Sequence, residues 1–264
     1  MIDTTPPVKG WIKDGSDKNN DMKFSSETAE VSSVWGGFSD PESGIVSYTL
    51  DVYINNALAQ SFENGLNTDF VDYSLSMKHG DSIYVKLTTT NGAETPTVIE
   101  SDGFVIDQTP PSVKYLHDTM DGRRYQSDST ELHLKWKFDD PESGLKEYRY
   151  YIEDFYQGQG HKFYPQGQGY VTIPVINNNI TADIVLQNLN MTSGHKYSVK
   201  VTAINHADMP QSQESDGVII DSSPPVLKKV YTYTVGDLSR FWLSCLDPLV
   251  LLPPKFKLFG FPIF

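Results

Sequence analysis

The chain has 264 residues, of which 38% are apolar, 21% charged and 12% aromatic. This composition excludes a disordered tail or a collagen and gives enough chain for roughly two domains with cores of their own. The net charge of −13 predicts that nucleic acid is not a partner, because an acidic surface repels a phosphate backbone.

The charge is uneven along the chain. Residues 1–107 carry a net charge of −11, residues 108–221 carry −5, and residues 222–264 carry +3, so the last segment has a different composition. Cys245 is the single cysteine, so an internal disulfide is excluded. No signal peptide opens the sequence, and charges and prolines interrupt the apolar tail at 241–264, so no membrane span is predicted.

Two copies of one pattern fill most of the chain. The motif Asp-Pro-Glu-Ser-Gly occupies residues 40–44 and 140–144, each time shortly after a tryptophan, Trp35 or Trp136. Such internal repetition indicates two units of the same fold.

A second alignment and the proline pairs set the boundaries of the units. Residues 80–107 align without a gap to residues 194–221, with 13 of 28 positions identical. Pro-Pro recurs at 6–7, 110–111 and 224–225, where it stops strand pairing and stiffens the connection. We therefore expect a piece of a longer array. Its predicted units are residues 3–107, residues 108–221 and an incomplete third unit at 222–264 that includes a divergent tail at 249–264.

Apolar and polar residues alternate over five segments, and no helical period is sustained. This alternation is typical of strands with one buried face, so the predicted class is all-β. About seven short strands per hundred residues indicate two tandem antiparallel β-sandwiches of the immunoglobulin-like kind. The inward residues are predicted to be Tyr48, Leu50, Val52, Ile83, Val85, Leu87, Leu132, Leu134, Trp136, Tyr148, Tyr150, Ile152, Tyr197, Val199, Val201 and Ala203.

Over residues 3–221 the chain resembles tandem fibronectin type III repeats. The resemblance lies in the tryptophan near the end of the second strand, a tyrosine in the third, and Gly-x-x-Tyr-x-Val-x-Val-x-Ala-x-Asn at 194–205. It implies a tyrosine corner, in which the hydroxyl of Tyr197 bonds to upstream backbone and Met191 fills the adjacent apolar place. In the first unit Ile83 stands at the corner position.

The Asp-Pro-Glu-Ser-Gly motifs are predicted to be tight turns, with Asp capping amides, Pro fixing φ and Gly accepting positive φ. The alternative is calcium. In a fibronectin-like sandwich the loop at 140–142 and the loop at 205–208 would meet the linker, and converging carboxylates suit a hard cation. The candidate ligands are Asp107, Asp140, Glu142 and Asp208, and in the first unit Asp3, Asp40, Glu42 and Glu94. No cofactor is predicted, and calcium is the one alternative.

A further acidic run, residues 14–21, contains Asp-x-Asn-x-Asp but lacks the glycine, the final glutamate and the helices of an EF-hand. We expect it to be a solvated loop.

The second unit carries a distinctive insertion at 156–170, where Gln-Gly-Gln-Gly occurs twice around aromatic residues. It is either a binding loop or a hairpin whose aromatics fold onto the sheet. The candidate binding residues are Tyr156, His161, Phe163, Tyr164 and Tyr170. Asn179 and Asn190 are glycosylation acceptors if the protein is secreted.

The sequence offers no recognisable catalytic motif around its six histidines or its single cysteine, so the chain is not predicted to be an enzyme. The resemblance implies a spacer or adhesion segment that binds protein partners on an extracellular or cell-surface protein. Two alternatives stay open: an ancillary module of a secreted carbohydrate-active enzyme, and an intracellular scaffold of tandem sandwiches.

Overall fold

A computed structural model describes residues 2–119, 122–167, 169–177, 179–235 and 238–245. Every regular element in these ranges is a β-strand, which confirms the all-β class. None of the described residues forms a helix that could cross a membrane.

The first sandwich packs a three-stranded sheet, in the order β1-β3-β6, against a larger sheet in the order β2-β9-β7-β4-β5, with β8 added to β7. All pairings are antiparallel except that of β2 with β9. Its strands are β1 (Trp11–Asp14), β2 (Phe24–Ser25), β3 (Val31–Gly36), β4 (Ile45–Ile54), β5 (Ala57–Gly65), β6 (Asp69–Asp72), β7 (Ser82–Asn91), β8 (Pro96–Glu100) and β9 (Phe104–Ile106).

The second sandwich repeats this order. The sheet β10-β12-β16 faces the sheet β11-β19-β17-β13-β14, with β15 added to β13 and β18 added to β17. Its strands are β10 (Ser112–His117), β11 (Tyr125–Gln126), β12 (Leu132–Asp139), β13 (Leu145–Tyr156), β14 (Gln159–Tyr164), β15 (Val171–Pro174), β16 (Thr181–Leu186), β17 (Lys196–Asn205), β18 (Pro210–Glu214) and β19 (Val218–Ile220).

Each sandwich has its own core, built from the alternating residues that the sequence indicates. All sixteen predicted inward side chains are buried, since strands with period 2 send every second side chain between the sheets. Trp136 packs edge-on against Tyr148 at 5.7 Å, and Trp35 packs in the same way against Tyr48 at 5.6 Å. The tryptophans are therefore the matched centres of the two cores.

After the second sandwich, β20 (Leu227–Val235) and β21 (Leu238–Cys245) form an antiparallel hairpin. The predicted third unit extends beyond it, and its Asp247-Pro248 and the tail at 249–264 lie outside the described residues.

Candidate functional site

An asparagine amide lies between two aspartates where the linker meets the second sandwich. The side-chain nitrogen of Asn205 donates to Asp107 Oδ2 at 3.1 Å, to Asp140 Oδ2 at 3.0 Å and to the carbonyl of Thr109 at 3.0 Å. We call Asp107, Asp140 and Asn205 the junction cluster. It joins the linker, the turn after β12 and the end of β17.

The first sandwich contains the same arrangement. Asn91 donates to Asp3, Asp40 and the carbonyl of Thr5, each at 2.9 Å. The sequence predicts the aspartates at this position but not the asparagine as their shared donor. The signal was present, because Asn91 and Asn205 are identical positions of the repeat.

The repeated turn holds its aspartate with backbone amides. Asp140 Oδ1 accepts the amides of Ser143 at 2.9 Å and Gly144 at 3.1 Å, and Gly144 has φ of +72°, so the predicted turn chemistry is present. In the first sandwich the amide of Ser43 and the side chain of Asn91 lower the pKa of Asp40. These hydrogen bonds favour the ionised form of Asp40, which accepts the side-chain amide of Asn91.

Asp107 connects the two sandwiches. Its backbone amide donates to Ser25 of the first sandwich at 2.9 Å, whereas its side chain contacts the second. Burial opposes ionisation of Asp107, yet hydrogen bonds from Ser143 and Thr109 lower its pKa overall. His79 Nδ1 lies 3.6 Å from Asp107 Oδ1 on the first-sandwich side.

The structure brings together part of the predicted calcium set. Asp107 and Asp140 meet around the amide of Asn205, but Glu142 is exposed, and Asp208 is 72% exposed and pairs with Lys146 at 2.5 Å. In the first sandwich the Asp3 and Asp40 side chains meet around Asn91 while Glu42 and Glu94 are exposed. Calcium at the junction stays a prediction of the sequence.

A different set of acids converges at the other end of the first sandwich. Asp14, Asp21 and Asp102 each bring one carboxylate oxygen within 4.8 Å of the others, and across the described residues no other group of acidic, histidine or cysteine side chains does so. We call these three residues the acidic cluster. The predicted solvated loop is correct for the exposed Asp17 and Asn19 but wrong for Asp14, which is fully buried.

The local backbone explains the acidic cluster. The loop after β1 closes when the amide of Met22 donates to the carbonyl of Asp14 at 2.9 Å, and the amide of Asp14 donates to Asp21 Oδ1 at 2.9 Å. Gly103, at φ +82°, directs its amide at Asp14 Oδ2 at 2.8 Å. A Cβ at Gly103 would lie 2.5 Å from the carbonyl of Ile83, so glycine is required there.

The insertion of the second sandwich is a hairpin whose aromatic residues divide between core and surface. Phe163 packs edge-on against Tyr197 at 4.9 Å, and Tyr164 stacks near Tyr150 at 6.4 Å. In contrast, Tyr156 is 50% exposed and stacks on His195 at 4.4 Å.

The remaining insertion candidates lie on the surface. His161 is exposed, and so is Tyr170, whose ring lies 4.9 Å from the guanidinium of Arg149. Gln168 of the second Gln-Gly-Gln-Gly lies outside the described residues. Asn179 and Asn190 are both exposed, as glycan attachment requires.

The tyrosine corner predicted for the second sandwich is confirmed. The amide of Thr192 donates to the hydroxyl oxygen of Tyr197 at 2.8 Å, and that hydroxyl donates to Asp154 at 3.2 Å. Met191 is buried beside it, as expected. In the first sandwich Ile83 fills the corner position as a core residue.

No protein-family model matches the chain, and no curated protein matches its sequence. Among solved structures it is similar to domains A168-A170 from titin at 12% identity and TM-score 0.46, over 80% of this chain and 66% of that one. It is similar to a two-domain fibronectin type III segment of chicken tenascin at 17% and 0.28, over 80% and 99%. It is also similar to a 1.5-MDa bacterial ice-binding adhesin at 13% and 0.36, over 89% and 71%. By its own strand order, the chain consists of two tandem fibronectin type III-like sandwiches.

Proposed function

We propose that the chain is a non-catalytic spacer and interaction segment of an extracellular or cell-surface protein, with its units at 3–107 and 108–221. The observation that carries the proposal is Asp107, which is bonded through its backbone to the first sandwich and through its side chain to the second. Sandwich modules of this architecture recur in cell-surface proteins, although a fold by itself does not specify a function.

The linker residues favour a fixed rather than a flexible connection between the two sandwiches. Asp107 is 1% exposed, and the following Pro110-Pro111 pair has no amide hydrogens and a restricted φ. Phe24 of the first sandwich lies 6.5 Å, ring to ring, from His206 of the second, and the amide of Gln108 donates to His79 Nδ1 at 3.2 Å. Contacts on both sides of the linker therefore hold a defined angle, which a spacer needs.

The second sandwich supplies the surface proposed for protein partners. Tyr156 and Tyr170 each expose about half of their surface, and the cation of Arg149 lies over the ring of Tyr170. Exposed tyrosine and arginine side chains are the residues that most often dominate binding energy at protein interfaces.

The spacer role is tested by measuring the distance between the two sandwiches in the full chain. Spin labels are attached to the exposed variants Gln60→Cys on β5 and Gln213→Cys on β18, in a Cys245→Ser background. We expect a narrow distance distribution by pulsed electron paramagnetic resonance. A broad distribution in the unmodified junction would show that the sandwiches are independent and would contradict the spacer proposal.

Matched variants locate the cause of that rigidity. Asn205→Ala removes the amide that joins Asp107 to Asp140 and should broaden the distribution, whereas Asn91→Ala removes the equivalent amide away from this linker and should leave it narrow. The compartment is tested separately, by localising the full-length product with an antibody against the second sandwich. Detection inside the cell alone would support the intracellular scaffold instead.

A further inference from the structure

The oxygen Oδ1 of Asp14 is the feature of the acidic cluster that points to a ligand. Oδ2 of the same carboxylate accepts the amide of Gly103, but Oδ1 has no hydrogen-bond partner although Asp14 is fully buried. Buried carboxylate oxygens are normally paired, because leaving them unpaired costs the whole of their lost hydration. Since Oδ2 is already held, Oδ1 is the oxygen that Asp14 can offer to the cluster.

We propose that Asp14, Asp21 and Asp102 form a binding site for a divalent cation, with calcium as the ion that fits it. Three carboxylates from two turns supply hard oxygen ligands within 4.8 Å of one another. Asp21 is partly exposed and Asp102 is mostly exposed, so water can complete the six to eight oxygens that calcium takes. A site with few protein ligands should bind calcium at roughly 0.1 to 1 mM.

Lys23 binds two of the three carboxylates in the structure and would compete with calcium for them. Its ammonium binds Asp21 Oδ2 at 2.9 Å and also binds Asp102 Oδ2, so it spans the two outer aspartates. One ammonium leaves an excess of negative charge on three carboxylates, and the side chain of Lys23 is 46% exposed. Calcium would therefore displace Lys23 into solvent, and removing the lysine should tighten binding.

The burial of Asp14 also affects its ionisation. Burial, together with the charges of Asp21 and Asp102, raises the pKa of Asp14 to about 6. The other charged groups that face the cluster are Lys23 and Lys13, both of which act on Asp21.

The second sandwich repeats part of this scaffold, but its described residues include no third acid that converges with the buried aspartate. Asp118 replaces Asp14 and accepts Gly217 at 2.8 Å and the hydroxyl of Ser215 at 2.6 Å. Asp216 corresponds to Asp102. The position of Asp21, three residues before β2, is occupied in the second sandwich by Gly122, three residues before β11. The second sandwich thus provides a control within the same molecule.

The direct test is a calcium titration of the full chain at pH 7.5, from zero to 10 mM, followed by amide NMR. The amide of Gly103 reports on Asp14, and the amide of Gly217 reports on the matched Asp118. We expect saturable shifts at Gly103 and its neighbours with little change at Gly217. No shift at Gly103, or equal shifts at both glycines, would overturn the proposal.

Variants identify the ligands by calorimetry. Asp102→Asn should weaken calcium binding at least fivefold while its counterpart Asp216→Asn leaves it unchanged, and Lys23→Gln should strengthen binding severalfold. Asp140→Asn combined with Glu142→Gln tests the junction predicted from the sequence. If that double variant abolishes the heat of binding and Asp102→Asn does not, calcium binds at the junction and the acidic cluster is not the site. If Lys23→Gln binds calcium with the same affinity as the wild type, the proposal that calcium displaces Lys23 is wrong.

Discussion

The two sandwiches share their scaffold and differ at their surfaces. Both place an asparagine amide between two aspartates at one end, and both bury an aspartate that accepts the Ser-Asp-Gly turn at the other. Within the described residues, only the first brings an acid such as Asp21 to that buried aspartate. Both have a hairpin at the sheet edge, β4–β5 and β13–β14, but only the second places an exposed aromatic side chain, Tyr156, on it. Repeated residues therefore mark what holds the fold, and unrepeated ones mark candidate sites.

The cores of the two sandwiches also differ, in the number of rings around the central tryptophan. Trp136 is fully buried and packs against two tyrosine rings, Tyr148 and Tyr150, whereas Trp35 packs against one, Tyr48. The indole nitrogens of both tryptophans are buried without a hydrogen-bond partner. Their contribution to stability is thus a matter of packing rather than of hydrogen bonding.

The largest expected effect is the loss of either tryptophan. Trp136→Ala and Trp35→Ala should each destabilise their own sandwich by about 3 to 5 kcal/mol, with Trp136→Ala the greater because its ring has more aromatic neighbours. The measurement is urea unfolding of the full chain, followed by resolved amide NMR signals of each sandwich. Trp11→Ala, at a 42% exposed position, is the control and should cost less. A cost below about 1 kcal/mol in Trp136→Ala would contradict the assignment of the core.

The second effect concerns pH and separates the first sandwich from the second. A raised pKa means that folded Asp14 binds its proton more tightly than unfolded Asp14 does, so its ionisation destabilises the fold above about pH 6. This penalty disappears as the pH falls toward the ordinary value of 3.8. The shift of about two units corresponds to about 3 kcal/mol at most.

Asp14→Asn isolates the contribution of the acidic cluster, because carboxylates remote from Asp14 titrate equally in wild type and variant. The unfolding free energy of the wild type minus that of Asp14→Asn should rise as the pH is lowered from 8 to 4, when measured without calcium. The unfolding free energy of the second sandwich, followed in the same experiment, should not differ between the wild type and Asp14→Asn. A difference that stays constant with pH would show that Asp14 has no raised pKa.

The strands and cores were predictable because their signal is local. Alternation over residues such as Leu132, Leu134 and Trp136 determines which face of a strand is buried, whatever its partner strand. The corner at Tyr197 was predictable through the resemblance to fibronectin type III repeats, since the motif that carries it lies on one short stretch of chain and its bond to Thr192 spans five residues. These features depend on a short stretch of chain.

The clusters were less predictable because they depend on residues far apart in sequence. Asp14 is buried by a turn that includes Gly103, 89 residues later, so the run at 14–21 alone indicates a solvated loop. In the hairpin β13–β14, some aromatic side chains face the core and others face solvent. The pairing of these strands contains a register shift between Ile152 and Glu153, which the sequence does not reveal. A motif shows which residues are available, and the partner segment decides what they contact.

A third, smaller effect compares the two asparagines. Asn205→Ala and Asn91→Ala each remove a donor shared by two carboxylates, and each should cost its own sandwich about 2 kcal/mol, because hydrogen bonds to charged groups are worth more than neutral ones. Urea unfolding resolved by sandwich measures both. Asn205→Asp adds a third carboxylate and should be more destabilising than Asn205→Ala. If it is instead the more stable variant, repulsion between carboxylates does not determine the stability of the junction.

The smallest expected effect distinguishes the corner of the second sandwich from the packing of the first. Tyr197→Phe keeps the ring in the core but leaves the amide of Thr192 without its acceptor and Asp154 with His195 as its remaining side-chain partner, so it should cost about 1 kcal/mol. The control is Tyr84→Phe, since Tyr84 is half-buried and stacks on Tyr53 at 4.8 Å, an interaction that phenylalanine keeps. Its effect should stay within about 0.5 kcal/mol. Equal costs for the two variants would show that the hydroxyl of Tyr197 adds nothing beyond ring packing, and that the sandwich with Ile83 loses nothing by lacking it.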